Sequence, residues 1–221
     1  WKSRMSTKSD ILNQLSSSVL EGNSEAARKG ATAALEMEMD PIEAIQNGLA
    51  KGLKEVGQKF ERCEIFLMQL IMSGEAMKAG LQVLKPEIIK QRKELTELGK
   101  ILIGTVEGDI HDIGKTVVAA MLTAEGFDVV DLGVDIPDNV FVEKTKEMKP
   151  NILGLSALMT TTRTKQKDVI EALKRAGLRN AVKVIVGGAT VTPEWAEEIG
   201  ADAYGEDAID AAKKARGLIQ R

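Results

Sequence analysis

His111 is the only histidine among the 221 residues. It lies in Glu107-Gly108-Asp109-Ile110-His111-Asp112-Ile113-Gly114-Lys115, with one carboxylate two residues before it and another directly after. A histidine flanked by carboxylates is suited to metal ligation. One ring nitrogen binds the metal, and the other donates to a carboxylate that fixes the tautomer and raises ligand basicity. A solvated loop histidine is the plainer reading of the same segment. Gly108 and Gly114 permit a tight turn and the close approach of a ligand. Farther along, Ser156-Ala157-Leu158-Met159-Thr160-Thr161-Thr162 is rich in hydroxyls. Gly187-Gly188 is either a plain turn or a floor left empty for a large group. Other chemistries fail on spacing. Gly114-Lys115-Thr116 lacks the glycine that a phosphate loop needs five residues earlier. The glycine triplet of dinucleotide folds and the Gly-x-Ser-x-Gly of hydrolases are both missing. One cysteine, Cys63, allows neither an intrachain disulfide nor a cysteine-based zinc site, and Cys63 reads as a small buried hydrophobe.

The elements around these residues fall into two halves. Residues 5–92 carry apolar positions at helical spacing and no convincing strand. Ile11, Leu12, Leu15, Val19 and Leu20 make the first face, capped by Ser9 or Asp10 and ended by Gly22. A second, Ala-rich helix spans 24–38. Asp40-Pro41 opens a third, and a fourth runs over 65–93 with a bend expected near Pro86. Four helices with short connections predict a bundle. Met68, Met72 and Met77 recur at helical spacing, either as core filler or as polarizable side chains facing a ligand. The charged segment 84–98 is a solvated helix end or a hinge.

Residues 93–221 alternate. Strands are expected at 100–106, 128–132, 152–156, 182–186 and 201–204. Helices are expected at 113–125, 138–148, 164–176, 193–199 and 207–219. Alternation of this kind demands a doubly wound parallel sheet, and five strands fit the flavodoxin-like order. Ligands of such sheets bind beyond the carboxyl ends of the strands, where the strand order switches. That switch lies between strands 1 and 3, so the loops holding His111 and Ser156–Thr162 should face one another.

A net charge of −3 gives no electrostatic case for nucleic acid or an anionic membrane surface. No apolar run approaches the ~20 residues needed to cross a bilayer. Trp1 to Met5 lacks an apolar signal core, Met5 reads as the natural start, and a reducing cytoplasm is the expected compartment.

Asp109-x-His111-x-x-Gly114, then Ser156-x-Leu158, then Gly187-Gly188 resembles the signature of cobalamin-binding domains of the methionine synthase type. Gly57-Gln58-Lys59-Phe60 followed by Ile65-Phe66-Leu67 resembles the helical cap of the same family. The corrinoid proteins of methylamine methyltransferase systems are the most similar branch, through 106–111, 156–162 and Gly187-Gly188-Ala189-Thr190-Val191-Thr192 with Trp195.

The resemblance implies roles. His111 would replace the cofactor's own benzimidazole as lower cobalt ligand, Asp109 would hold its far nitrogen, and Thr162 would complete a proton relay. Gly108, Asp112, Ile113 and Gly114 belong to the same binding loop. Ser156, Leu158 and Thr160 would contact the displaced nucleotide tail, Gly187 and Gly188 would let it pass, and Tyr204 and Gly205 would line the end of strand 5. Phe66 and Met72 would face the upper side of cobalt. Met68 stands where the family has a proline.

By the same resemblance the chain is a carrier subunit, not a complete enzyme. It would accept a methyl group on Co(I) from a substrate methyltransferase of methylamine or quaternary amine type, cycling between Co(I) and methyl-Co(III). A second methyltransferase would pass the group to tetrahydrofolate or coenzyme M, and a reductive activation protein would restore the cofactor. Neither nucleic acid nor membrane is an expected partner. A cobalamin-dependent regulator is the alternative, which would need a basic recognition helix not found here. A radical mutase subunit would lack this cap.

Overall fold

The computed structural model describes residues 7–92 and 98–219. Its contacts divide the chain into two compact units, Trp1–Lys93 and Glu94–Arg221. The expected natural start and residues 93–97 of the charged segment lie outside the described residues, whereas 84–92 belong to a helix.

The first unit is helical. Helix α1 (Lys8–Leu20) is capped by Thr7, not by Ser9 or Asp10. The Thr7 hydroxyl accepts from Asp10 N, and the Asp10 carboxylate accepts from Thr7 N, so Asp10 is the third residue of a capping box. Helix α2 (Ser24–Glu36) stops two residues before the expected end. Helix α3 (Pro41–Glu43) runs on through a π-helical stretch, Ala44–Ala50, into α4 (Lys51–Glu61). Pro41 stands at the first position, where its missing N–H costs nothing. Helix α5 (Leu67–Arg92) contains Pro86 and continues through it. Ile11, Leu15, Val19, Ile45, Leu49, Met77 and Leu84 form the buried interior. Two expectations are corrected here. Cys63 is exposed, because the turn after α4 places it at φ 57°, away from the packed faces. Phe66 precedes α5 instead of beginning it, and its backbone N–H donates to Gln69 Oε1.

The second unit alternates as expected: β1 (Gly99–Thr105), α6 (Ile113–Ala124), β2 (Phe127–Asp131), α7 (Asp138–Met148), β3 (Ile152–Ser156), α8 (Thr160–Arg175), β4 (Lys183–Gly187), α9 (Pro193–Ile199), β5 (Ala203–Gly205) and α10 (Ala208–Ile219). All pairings are parallel, in the order β2-β1-β3-β4-β5. This is the flavodoxin-like order, with its switch between β1 and β3. Helix α6 packs with α10, and α7 and α9 pack with α8. Leu102, Leu153, Leu155, Val184 and Val186 are buried with Phe141 and Trp195 in one core. Central parallel strands are covered on both faces, which is why they read as continuous apolar runs.

The register places Thr105, Ser156, Gly187 and Gly205 in one row across the carboxyl edge of the sheet. Two glycines on this edge answer to the protein itself. Gly188 has φ 130°, and a Cβ there would lie 1.8 Å from the Ala157 carbonyl oxygen. A Cβ on Gly205 would lie 2.8 Å from that of Ala211, so this glycine lets α10 approach β5. Gly188→Ala is therefore expected to lower unfolding free energy by about 2 kcal/mol or more, through strain and a displaced turn. Urea denaturation measures this, and an unchanged midpoint would show that the turn relaxes freely.

Candidate functional site

The strand β1 ends at Thr105, and the chain then folds tightly before α6. Asp109 N donates to Val106 O at 3.1 Å, and Gly108 takes φ 79° to make the turn. The turn points the Asp109 side chain inward, with 0% of the residue exposed. Across the switch, the β3–α8 connection brings its donors to the same carboxylate. Leu158 N donates to Asp109 Oδ2 at 2.8 Å, Met159 N at 3.4 Å and the Thr162 hydroxyl at 2.6 Å. The other oxygen, Oδ1, accepts from His111 N at 3.1 Å and faces His111 Nδ1 at 2.7 Å.

Helix α8 begins at Thr160, four residues earlier than expected, and this correction matters chemically. Thr162 is thereby a buried residue of the first helical turn, held in place by helix geometry. A loop residue would have no such constraint. Thr160 starts the same turn and is exposed.

Burial alone would raise the Asp109 pKa. The Thr162 hydroxyl, the His111 N–H and ring, and the Leu158 N–H together outweigh it and hold this carboxyl far below the usual carboxylate range. Asp109 is therefore an anion, and the proton between it and the ring belongs to His111 Nδ1. That leaves Nε2 as the free nitrogen. It has no hydrogen-bond partner among the described residues, and 46% of the side chain is exposed. A histidine with one nitrogen tied to a carboxylate and the other open is arranged to bind a metal from outside.

The surroundings suit a large flat ligand. Ile110 is 72% exposed beside the ring, and Leu158 and Met159 are exposed on the facing loop. Such an apolar rim is unusual around a solvated histidine and apt for a bulky apolar macrocycle. Gly114 has nothing within 4 Å of where a Cβ would stand. Two polar atoms near the ends of β4 and α8, Arg163 Nε and Thr190 Oγ1, are buried without a partner. No group of three or more His, Cys, Asp or Glu that could hold a bare metal ion occurs among the described residues. A metal brought in by an organic ring, with one protein nitrogen as ligand, fits these residues.

Residues 99–213 match a B12 binding domain family, and residues 11–85 match a second family also described as a B12 binding domain. Trimethylamine corrinoid protein 1 of Methanosarcina acetivorans is 47% identical over 215 residues, 97% of this chain and 100% of that protein. The chain belongs to the corrinoid proteins of methylamine methyltransferase systems. The monomethylamine corrinoid protein of Methanosarcina barkeri superposes with a TM-score of 0.86 at 42% identity, covering 96% of this chain and 100% of that one. The methanol:cobalamin methyltransferase complex of Methanosarcina barkeri matches with a TM-score of 0.54 at 32% identity, over 97% of this chain and 81% of that one. Cobalamin is the cofactor of this family and of this chain.

The structure brings together Gly108, Asp109, His111, Leu158 and Thr162. Asp112, Ile113 and Gly114 form the start of α6, and it is Asp109, not Asp112, that meets the ring. Ser156 accepts Val106 N through its carbonyl at 3.0 Å, so it ties the two loops together at the backbone. Tyr204 and Gly205 sit two strands away, on β5. Tyr204 lies against α10, where Lys214 stacks over its ring and burial raises the phenol pKa. Phe66 and Met72 belong to the helical unit and are exposed, whereas Met77 is core. No helix is long and apolar enough to cross a membrane among the described residues.

Sequence reasoning missed Asp135, which accepts Gly108 N at 2.7 Å, and Gln166, which is buried under the β3 and β4 ends. It also missed the buried Lys115, whose ammonium meets both Asp131 oxygens at 2.5 Å. A lysine directly after Gly114, on the inner face of a short amphipathic helix, was the one available signal for the last.

The Asp109 carboxylate gives a testable pH dependence. Its folded pKa is depressed, so its stabilising contribution is complete above the unfolded value of about 3.9 and fades as pH falls toward the folded value. Asp109→Asn turns an acceptor into an amide whose NH₂ faces donors, at a cost of about 1–3 kcal/mol at neutral pH. The gap between wild type and variant is expected to narrow below pH 4. Urea denaturation of both at pH 7 and pH 3.5 measures it, and a gap independent of pH would contradict this account.

Proposed function

We propose that the chain carries methyl groups on cobalamin between two methyltransferases. A substrate-specific enzyme of the methylamine or quaternary amine type would load it. A second would unload it toward tetrahydrofolate or coenzyme M, and a reductive activation protein would keep it competent. The observation that carries this reading is the buried Asp109 anion holding Nδ1 of an exposed histidine whose Nε2 is open. The family membership and the likeness to a methanol:cobalamin methyltransferase complex support a carrier that meets a partner enzyme. Relatives named for trimethylamine and for monomethylamine, at 47% and 42% identity, support an amine donor.

Bound cobalamin supplies a cobalt that takes up and releases the methyl group. The protein's part is ligation and proton placement. His111 would bind through Nε2 as a neutral imidazole, its Nδ1 proton donated to Asp109. Off the metal, Nε2 would be free to hold a proton, and an imidazolium there would stay paired with the Asp109 anion. Thr162 holds the far oxygen of that anion and keeps its charge directed at the ring. Ser156, Thr160, Gly187 and Gly188 would line the path of the nucleotide tail, with Arg163 Nε and Thr190 Oγ1 as unclaimed donors and acceptors nearby. The helical cap is proposed as 5–92 and the cobalamin domain as 93–221. Two compact units and the separate family matches support that division.

Because His111 is the only histidine, nitrogen-15 histidine labels one residue. After reconstitution with hydroxocobalamin and reduction to Co(II), electron paramagnetic resonance should show coupling to a histidine nitrogen. His111→Ala should bind cofactor, keep its melting temperature and lose that coupling. Coupling to benzimidazole nitrogen in the wild type would overturn the assignment.

Phe66 and Met72 are proposed cofactor contacts of the helical unit. Phe66 is 83% exposed, so Phe66→Ala should change stability by no more than about 0.5 kcal/mol. It should nevertheless speed photolysis of bound methylcobalamin under fixed illumination. An unchanged photolysis rate would remove Phe66 from the site.

A further inference from the structure

We infer that Asp135 is a positioning residue for His111, fixing the loop that aims Nε2; this rests on the reading of His111 as the lower cobalt ligand. Asp135 stands in the connection between β2 and α7, which runs alongside the loop after β1. Two residues in the left-handed region face each other there, Gly108 at φ 79° and Asp135 at φ 55°. Two hydrogen bonds tie Asp135 to the Gly108–Asp109 turn. Gly108 N donates to Asp135 Oδ1 at 2.7 Å, and Asp135 N donates to Asp109 O at 2.9 Å. Both groups bound by Asp135 lie within three residues of the His111 ring.

The platform beneath Asp135 is firm. Leu132 N donates to Ile103 O, Thr105 N to Gly133 O and Ile136 N to Thr105 O, so residues 132–136 extend the β1–β2 ladder past the end of β2. A parallel bridge joins Val106 to Ile136. At the base, Asp131 binds the buried Lys115 ammonium through both oxygens and accepts Gly133 N at 2.9 Å. Lys115 belongs to the first turn of α6, the helix that follows the His111 loop. The loop is thus tied at two ends: Thr105 Oγ1 donates to His111 O at 3.0 Å, and Asp135 holds Gly108 and Asp109.

The Asp135 side chain has no other visible task. It is exposed, so it fills no core, and it forms no ion pair among the described residues. An exposed aspartate in the left-handed region costs backbone free energy that a glycine would not. What its carboxylate adds is an acceptor for Gly108 N, the amide of the most flexible residue in the loop. Freed from that acceptor, Gly108 would loosen the turn that carries His111 past the Asp109 carboxylate, which Leu158 N and the Thr162 hydroxyl hold from the other loop. The Nδ1–Asp109 bond would open more often, and the direction of Nε2 would be lost.

Two variants separate this role from plain stability. Asp135→Gly keeps the left-handed backbone without strain and removes only the acceptor. Asp135→Asn also tolerates that backbone and retains an acceptor oxygen. Each is reconstituted with hydroxocobalamin, reduced to Co(II) and titrated with pH, reading histidine nitrogen coupling by electron paramagnetic resonance. Asp135→Gly should lower the histidine-on equilibrium about tenfold, the low end for partners outside the ligand set, while Asp135→Asn stays near wild type. In the cofactor-free protein, nitrogen-15 spectra should show faster exchange of the His111 Nδ1 proton in Asp135→Gly alone. Melting temperatures should match across all three. Wild-type coupling and proton exchange in Asp135→Gly would overturn the inference. So would an Asp135→Asn variant as impaired as Asp135→Gly. If the wild type itself shows no histidine nitrogen on cobalt, the ligand assignment fails, while the cofactor-free spectra still decide whether Asp135 positions the ring.

Discussion

A carboxylate removed from water must be met by donors, and in this protein the donors come from both sides of the sheet's switch point. Asp109 is wholly buried at the end of β1, and three of its partners, Leu158, Met159 and Thr162, stand beyond β3. An unsatisfied buried carboxylate would cost several kcal/mol. The two loops therefore cannot separate without exposing or stranding that charge. The sheet order brings them side by side; the anion fastens them. Everything proposed for His111 follows, because the ring's direction is set by a group that itself cannot move.

Much of this was legible in the chain. The bounds of α7, β3 and α9 follow directly from their patterns and caps, and apolar runs marked the central strands. His111 and its pairing with Asp109 were legible because a lone histidine between carboxylates has few structural uses. The early start of α8 was hidden by Thr160-Thr161-Thr162. β-Branched residues are poor helix formers, and here tertiary contacts override the preference. The Asp135 clamp and the Lys115–Asp131 pair were not legible, since each joins residues 16 to 27 positions apart. Gly205, expected at the end of β5 as a lining residue, also lets α10 approach that strand. Local sequence distinguishes poorly between a glycine that admits a ligand and one that admits a neighbouring helix.

The helical unit shows the same ambiguity from the other side. Met68, Met72 and Met77 share a helix and a spacing, yet Met77 is fully buried and the other two are exposed. With Phe66, Leu67 and Ile71 they leave a broad apolar edge at the start of α5. A unit so poor in aromatics places none of these exposed side chains in its own interior.

Gln166 has a mechanical consequence. It is fully buried on α8 and donates its amide to the carbonyls of Leu155 and Gly187, while its own oxygen accepts the Trp195 indole N–H. One side chain thus engages two strands and a second helix. Four residues earlier, on the same face of α8, stands Thr162. A rotation of the helix about its axis would have to break all three bonds of Gln166 before the Thr162 hydroxyl could leave Asp109. The amide acts as a key in a keyway: α8 can neither slide nor roll. The phase of the helix, fixed at Gln166 about one turn from Thr162, is what keeps a hydroxyl in register with an anion.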